Sequence, residues 1–104
     1  INFFQERFDF NAVGTKELCR IYAKFDECWF RNIKKTTTNS DMRYIIPIDY
    51  DKSIIMISYT DSKFAKEWLK LTKKEIIQKL RKEIKNIFNI HMPSPTLLKM
   101  YYQF

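Results

Sequence analysis

The sequence predicts an α+β fold, a mixed or antiparallel sheet packed against two or three helices. Three observations carry that expectation. Leu18 to Phe25 alternates apolar and polar residues with a period of two, as a half-buried strand does. Tyr44 to Ile48 and Ile54 to Tyr59 are β-rich runs joined by the turn-forming stretch Asp49-Tyr50-Asp51-Lys52-Ser53, which reads as a hairpin. From Thr72 onward the apolar residues recur at helical spacing behind a capping signal. With 104 residues, 45% of them hydrophobic and 16% aromatic, one domain with its own core is expected over 1–104.

The elements follow in chain order. Asn2 to Phe10 is ambiguous: Phe4, Phe8 and Asn11 share a helical stripe, while Phe8 and Phe10 alternate like a strand. Gly14-Thr15 reads as a turn. In the strand after it, Cys19, Ile21, Ala23 and Phe25 form a core face, and Arg20, Tyr22 and Lys24 form a face that is solvated or lines a site. Asp26 to Phe30 carries the aromatic pair Trp29-Phe30. The polar run from Lys34 to Ser40 has no period and reads as a surface connection.

In the hairpin, Pro47 has no N–H to donate, which places the first strand at an edge or a bulge. The second is apolar on both faces from Ile54 to Ile57, as an interior strand is. Asp61 or Ser62 then caps a helix holding Phe64, Ala65, Trp68 and Leu69. Thr72 and Glu75 form a capping box for a second, whose stripe is Ile76, Ile77, Leu80, Ile84, Ile87 and Phe88. Glu75 and Lys79 read as a supporting i,i+4 pair. Pro93 and Pro95 end this helix, and Leu97 to Phe104 is a last strand.

Composition removes several function classes. Gly14 is the sole glycine, so neither a phosphate-cradling loop nor a dinucleotide fingerprint is present in these residues. No apolar stretch reaches the roughly 18 to 20 residues of a membrane span. Cys19 and Cys28 read as reduced thiols, and a cytoplasmic location follows. Ile1 in place of Met, and an ending on Lys99 to Phe104, read as a piece of a longer protein.

Charge is unevenly placed. Lys63 to Lys99 holds ten Lys or Arg against three Glu, a balance of +7, and the remaining nine basic and nine acidic residues cancel. A basic face of this kind attracts nucleic acid, anionic lipid or a protein partner, but the excess of Lys over Arg and the absence of a reader motif favour a solvated helix face, with nucleic acid disfavoured as a partner.

Chemistry-bearing constellations are sparse. No nucleophile stands beside a base, and no pair of carboxylates converges. Cys19, Cys28 and His91 lack the spacing of a zinc site and could meet only through the fold. His91 reads as a loop residue, and Asp49 and Asp51 as a plain turn too poor in oxygen ligands for calcium.

The residues that carry most are Leu18 to Phe30 (LCRIYAKFDECWF) and Ile54 to Phe88. The first is similar to a strand of the substrate-binding subdomain of FAD-dependent amine oxidases, the monoamine and polyamine oxidase group. That strand runs from a lysine through alternating apolar and aromatic residues to a Phe-Trp pair, here reversed as Trp29-Phe30. The second resembles the strand, turn and two helices that follow in the family, most closely over Thr72 to Leu80. Lys99-Met100-Tyr101 looks like the family's K-x-W, with Tyr for Trp. The Lys- and Ile-rich flavor is nearest to amine-oxidase-like proteins of large DNA viruses or A+T-rich protists, which would put the protein in a host cytoplasm or a virion.

The resemblance implies a function: the substrate side of a flavoprotein that oxidises a small-molecule amine to an imine, with FAD bound mainly by the remainder of the flavoprotein chain. Arg20 falls where the family keeps a lysine that holds a water against flavin N5, and is the catalytic residue so implied. Guanidinium and ammonium place their donors differently, so the departure bears on that role. Tyr22 would line the substrate cavity, with Tyr101 or Tyr102 approaching the cofactor. The alternative is a non-catalytic basic α+β binding module for nucleic acid or a protein partner; fold does not decide between the two.

Overall fold

The computed structural model describes residues 18–103. They form an antiparallel five-stranded sheet with two helices, an α+β fold. Strands are β1 (Leu18–Lys24), β2 (Thr36–Thr37), β3 (Tyr44–Asp49), β4 (Ile54–Asp61) and β5 (Leu97–Gln103); helices are α1 (Ser62–Leu69) and α2 (Lys73–Phe88). The order is β2-β3-β4-β1-β5, which puts β1 between the hairpin and the last strand. The readings made for Asn2 to Phe10 and for Gly14-Thr15 lie outside the described residues.

The period-two pattern of β1 decides the layers. Cys19, Ile21 and Ala23 join Ile45, Ile55 and Ile57 in a core that also takes Ala65 and Trp68 of α1 and Ile76, Leu80 and Ile84 of α2. Interior placement of β4 follows from its apolar run: Ile55, Met56 and Ile57 are all fully buried. One extra residue on β4, between the Ile21–Ser58 and Tyr22–Met56 pairs, makes a bulge beside the centre of the sheet. Pro47 pairs with Ile55 where the β3–β4 register slips, and lies past the end of the two β2 pairs, as expected of a proline at a bulge.

The fold corrects some local readings and bears out others. The polar run from Lys34 to Ser40 is not all connection, since Thr36 and Thr37 pair with Ile45 and Tyr44 as β2. The capping box of α2 is present: Thr72 Oγ1 accepts from the Glu75 N–H at 3.2 Å, and Glu75 Oε1 accepts from the Thr72 N–H at 2.9 Å. Asp61 occupies the N-cap position of α1 but makes no side-chain cap bond. It is not the prolines that end α2. Asn89, in left-handed conformation (φ 59°, ψ 38°), ends it four residues before Pro93, and its N–H donates to the Lys85 carbonyl at 2.9 Å.

Lys79 turns from the expected Glu75 to Asp41, with Nζ 2.7 Å from Oδ2 and 4.9 Å from the centre of the Trp68 ring. The Trp68 indole N–H donates to the Asp41 carbonyl at 3.1 Å. This cluster ties the loop before β3 to both helices. At the hairpin, Asp49 Oδ1 accepts from the Lys52 N–H at 3.0 Å, the turn role expected of it.

Candidate functional site on the tyrosine face of the sheet

The face of β1 turned away from the core carries Arg20 and Tyr22. Sheet order then decides their neighbours: antiparallel register sets Arg20 opposite Tyr59 of β4 on one side and Tyr101 of β5 on the other. Residues directly opposite in an antiparallel pair share a face and lie within side-chain reach. The Tyr22 and Tyr101 rings meet edge to face, 5.5 Å between centroids at 80°. Beyond Tyr59, Tyr44 of β3 continues the row with its ring 6.0 Å away. The outcome is one arginine flanked by tyrosines from three other strands and its own.

Arg20 is 2% exposed, so the solvated reading of its side does not hold at this position. Lys24, four residues along the same strand, is exposed. Burial raises the Tyr22 phenol above its usual range and outweighs the opposing pull of the Arg20 charge, with Tyr101 and Tyr59 adding to the rise. Tyr59 is raised for the same first reason, again against Arg20, with Asp61 and Tyr44 reinforcing it. Both phenols therefore stay protonated through neutral pH. Arg20 Nε and Nη1 and the Tyr22 hydroxyl are themselves buried, so these donors lie beneath the face, and Tyr101, 47% exposed, is its open aromatic side chain.

Of the residues singled out in the sequence, the fold brings Arg20, Tyr22 and Tyr101 together. Tyr102 goes elsewhere: it pairs with Cys19 and packs against the core on the helix side, because neighbouring residues of a strand face opposite ways. Tyr59 and Tyr44 belong to the row and were not singled out. Their signal in the sequence was the aromatic at the ends of the two hairpin strands, which identifies neighbours only once the order β4-β1-β5 is known.

The rest of the surface is simpler. Cys19 and Cys28 are free thiols, and burial pushes the Cys19 thiol up to about 12 from 9.0, against the lowering by Arg20. Among the described residues no three His, Cys, Asp or Glu side chains group to hold a metal, and no helix is long and apolar enough to cross a membrane. The basic side of α2 borders an open groove of about 500 Å³ lined by Lys73, Lys74, Ile77, Gln78, Arg81 and Ser94. Arg81 is held there by the Met92 carbonyl at 2.8 Å and Ser94 Oγ at 3.2 Å.

No protein-family model matches the chain, and no curated protein matches it.

Proposed function

We propose that this chain is the substrate-side subdomain of an FAD-dependent amine oxidoreductase. The observation that carries the reading is Arg20, a buried cation on a tyrosine-lined sheet face, at the strand position that the resemblance gives to the lysine beside flavin N5. The residues present suit the ring edge of a flavin and not its pyrophosphate. Arg20 and two protonated phenols are directional donors, whereas positive φ among the described residues occurs only at Arg43, Ser53 and Asn89, which form no succession of backbone N–H groups to hold phosphate. Dinucleotide binding belongs to residues outside this segment.

If bound, a flavin would supply the oxidising power for turning an amine into an imine. The chain's own residues position and enclose. Arg20 presents a rigid fork of N–H donors where an ammonium would present a point charge, and the Tyr22 side chain is one of its hydrogen-bond partners, so the fork is held in a fixed direction behind the face. Tyr22 and Tyr59 keep their protons and fix the surroundings of that fork. Tyr101 offers its ring face to the alkyl part of an amine, and the sheet behind it excludes water.

The test is made in the flavoprotein that carries this segment, by anaerobic stopped-flow reduction of the flavin with amine. Arg20→Ala is expected to slow reduction about a hundredfold, the loss typical of one preorganised charged donor. Arg20→Lys should recover most of that rate, and Lys24→Ala should leave it unchanged. Wild-type reduction by Arg20→Ala, or a protein that holds no flavin, overturns the reading. In the second case the groove of Lys73, Lys74 and Arg81 favours the other reading, a basic module for nucleic acid or a protein partner.

A further inference from the structure

The two edges of the sheet are built differently. At one, β2 is two residues long, and β3 behind it carries Pro47 and two slips of register. Short strands, proline, bulges and charged side chains, lysine above all, are the devices that keep a sheet edge from pairing further. At the other edge, β5 runs seven residues in unbroken register with β1, from Leu97 opposite Lys24 to Gln103 opposite Leu18. It has no proline, no bulge and one charged residue, Lys99. Among the described residues no strand pairs with its outer side. Leu97 and Tyr101, 48% and 47% exposed, are two of the exposed large apolar side chains of the chain, and both are on this strand.

We propose that β5 pairs with β5 of a second copy of this chain, antiparallel about a twofold axis at Met100, so that two sheets become one. The sequence of the strand selects this occupant. Centred on Met100, the symmetric register sets Leu97 opposite Gln103, Leu98 opposite Tyr102 and Lys99 opposite Tyr101. Lys99, the strand's only charge, therefore faces an aromatic ring and not its own copy, and an ammonium over a tyrosine face is attractive. Leu98 and Tyr102, half-buried against the core, meet their counterparts and carry the apolar layer across the junction. Each copy presents the same surface to the other, as a closed twofold contact requires. Pairing also brings the second copy's lysine beside Tyr101, at the border of the tyrosine face. The inference uses only the edge and holds with or without flavin.

Sedimentation equilibrium of the chain from micromolar to near-millimolar concentration reads the pairing, with circular dichroism as the check on folding. A reversible monomer–dimer equilibrium is expected. Tyr101→Glu exchanges the ring for a carboxylate opposite Lys99 at two symmetric places and should keep the dimer within about threefold of the wild type, now weakened by added salt. Tyr101→Lys sets like charges opposite each other and should weaken it about fivefold or more; adding Lys99→Glu to Tyr101→Lys should restore it. A chain that stays monomeric throughout overturns the proposal. So does a dimer whose strength is the same in all three folded variants, since that contact does not use this register.

Discussion

Lys79 has two possible partners, and removing it tells them apart. Helical spacing offers Glu75 at i,i+4, whereas the fold offers Asp41 at 2.7 Å and the Trp68 ring at 4.9 Å. The Lys79 and Asp41 side chains are 25% and 42% exposed, so solvent screens the pair and an ion-pair contribution of about 0.5 to 1 kcal/mol is appropriate. The cation over Trp68 adds about 0.5 to 1 kcal/mol. Lys79→Ala is thus expected to cost about 1 to 2 kcal/mol in a urea titration. A double-mutant cycle apportions it: Lys79→Ala with Asp41→Ala should show a coupling of about 0.5 to 1 kcal/mol, and Lys79→Ala with Glu75→Ala a coupling near zero. Asp41→Ala keeps the backbone carbonyl that accepts from Trp68, so the cycle isolates the carboxylate. High salt should shrink the Asp41 coupling and leave the aromatic part. A coupling larger with Glu75 than with Asp41 would refute the reasoning.

Two further outcomes are expected of the chain. Thr72→Ala removes the acceptor of the Glu75 N–H and should cost about 1 kcal/mol, while Lys82→Ala, exposed on the same helix, should cost almost nothing; equal losses in denaturant would show that the box does not cap α2. Stability should also fall in alkali. The Cys19 thiol is raised by burial, so its contribution is complete below the unfolded value of about 9 and is lost as pH climbs toward the folded value of about 12; Tyr22 and Tyr59 act in the same direction from about 10 upward. Each proton so retained steepens the decline by about 1.4 kcal/mol per pH unit. Denaturation midpoints between about pH 8 and pH 11 measure it, and Cys19→Ala should flatten the first part of the fall. A midpoint unchanged over that range contradicts the assignment.

Much of the fold was legible because its signals are local. The alternation from Leu18 to Lys24, the turn residues from Asp49 to Ser53 and the Thr72–Glu75 box each depend on dihedral preference or on neighbours within one turn, and each appears in the structure where the residues place it. The end of α2 reads in the sequence from Pro93 and Pro95, and lies at Asn89 for the opposite reason: a left-handed residue closes a helix by a backbone bond that has no spacing signature, while proline is conspicuous. The face of β1 opposite the core was also legible, and with it the pairing of Arg20 and Tyr22.

What tertiary structure alone decided is who stands beside whom across strands and helices. Sheet order brought Tyr59 and Tyr101 to Arg20 from segments far apart in the chain and buried a guanidinium whose alternating strand left it either solvated or lining a site. Packing of α1 and α2 against the loop before β3 gave Lys79 to Asp41 in place of Glu75. Periodicity states which way a side chain points, but strand order and register are set by the sum of many distant apolar contacts, and no short stretch of residues contains that sum.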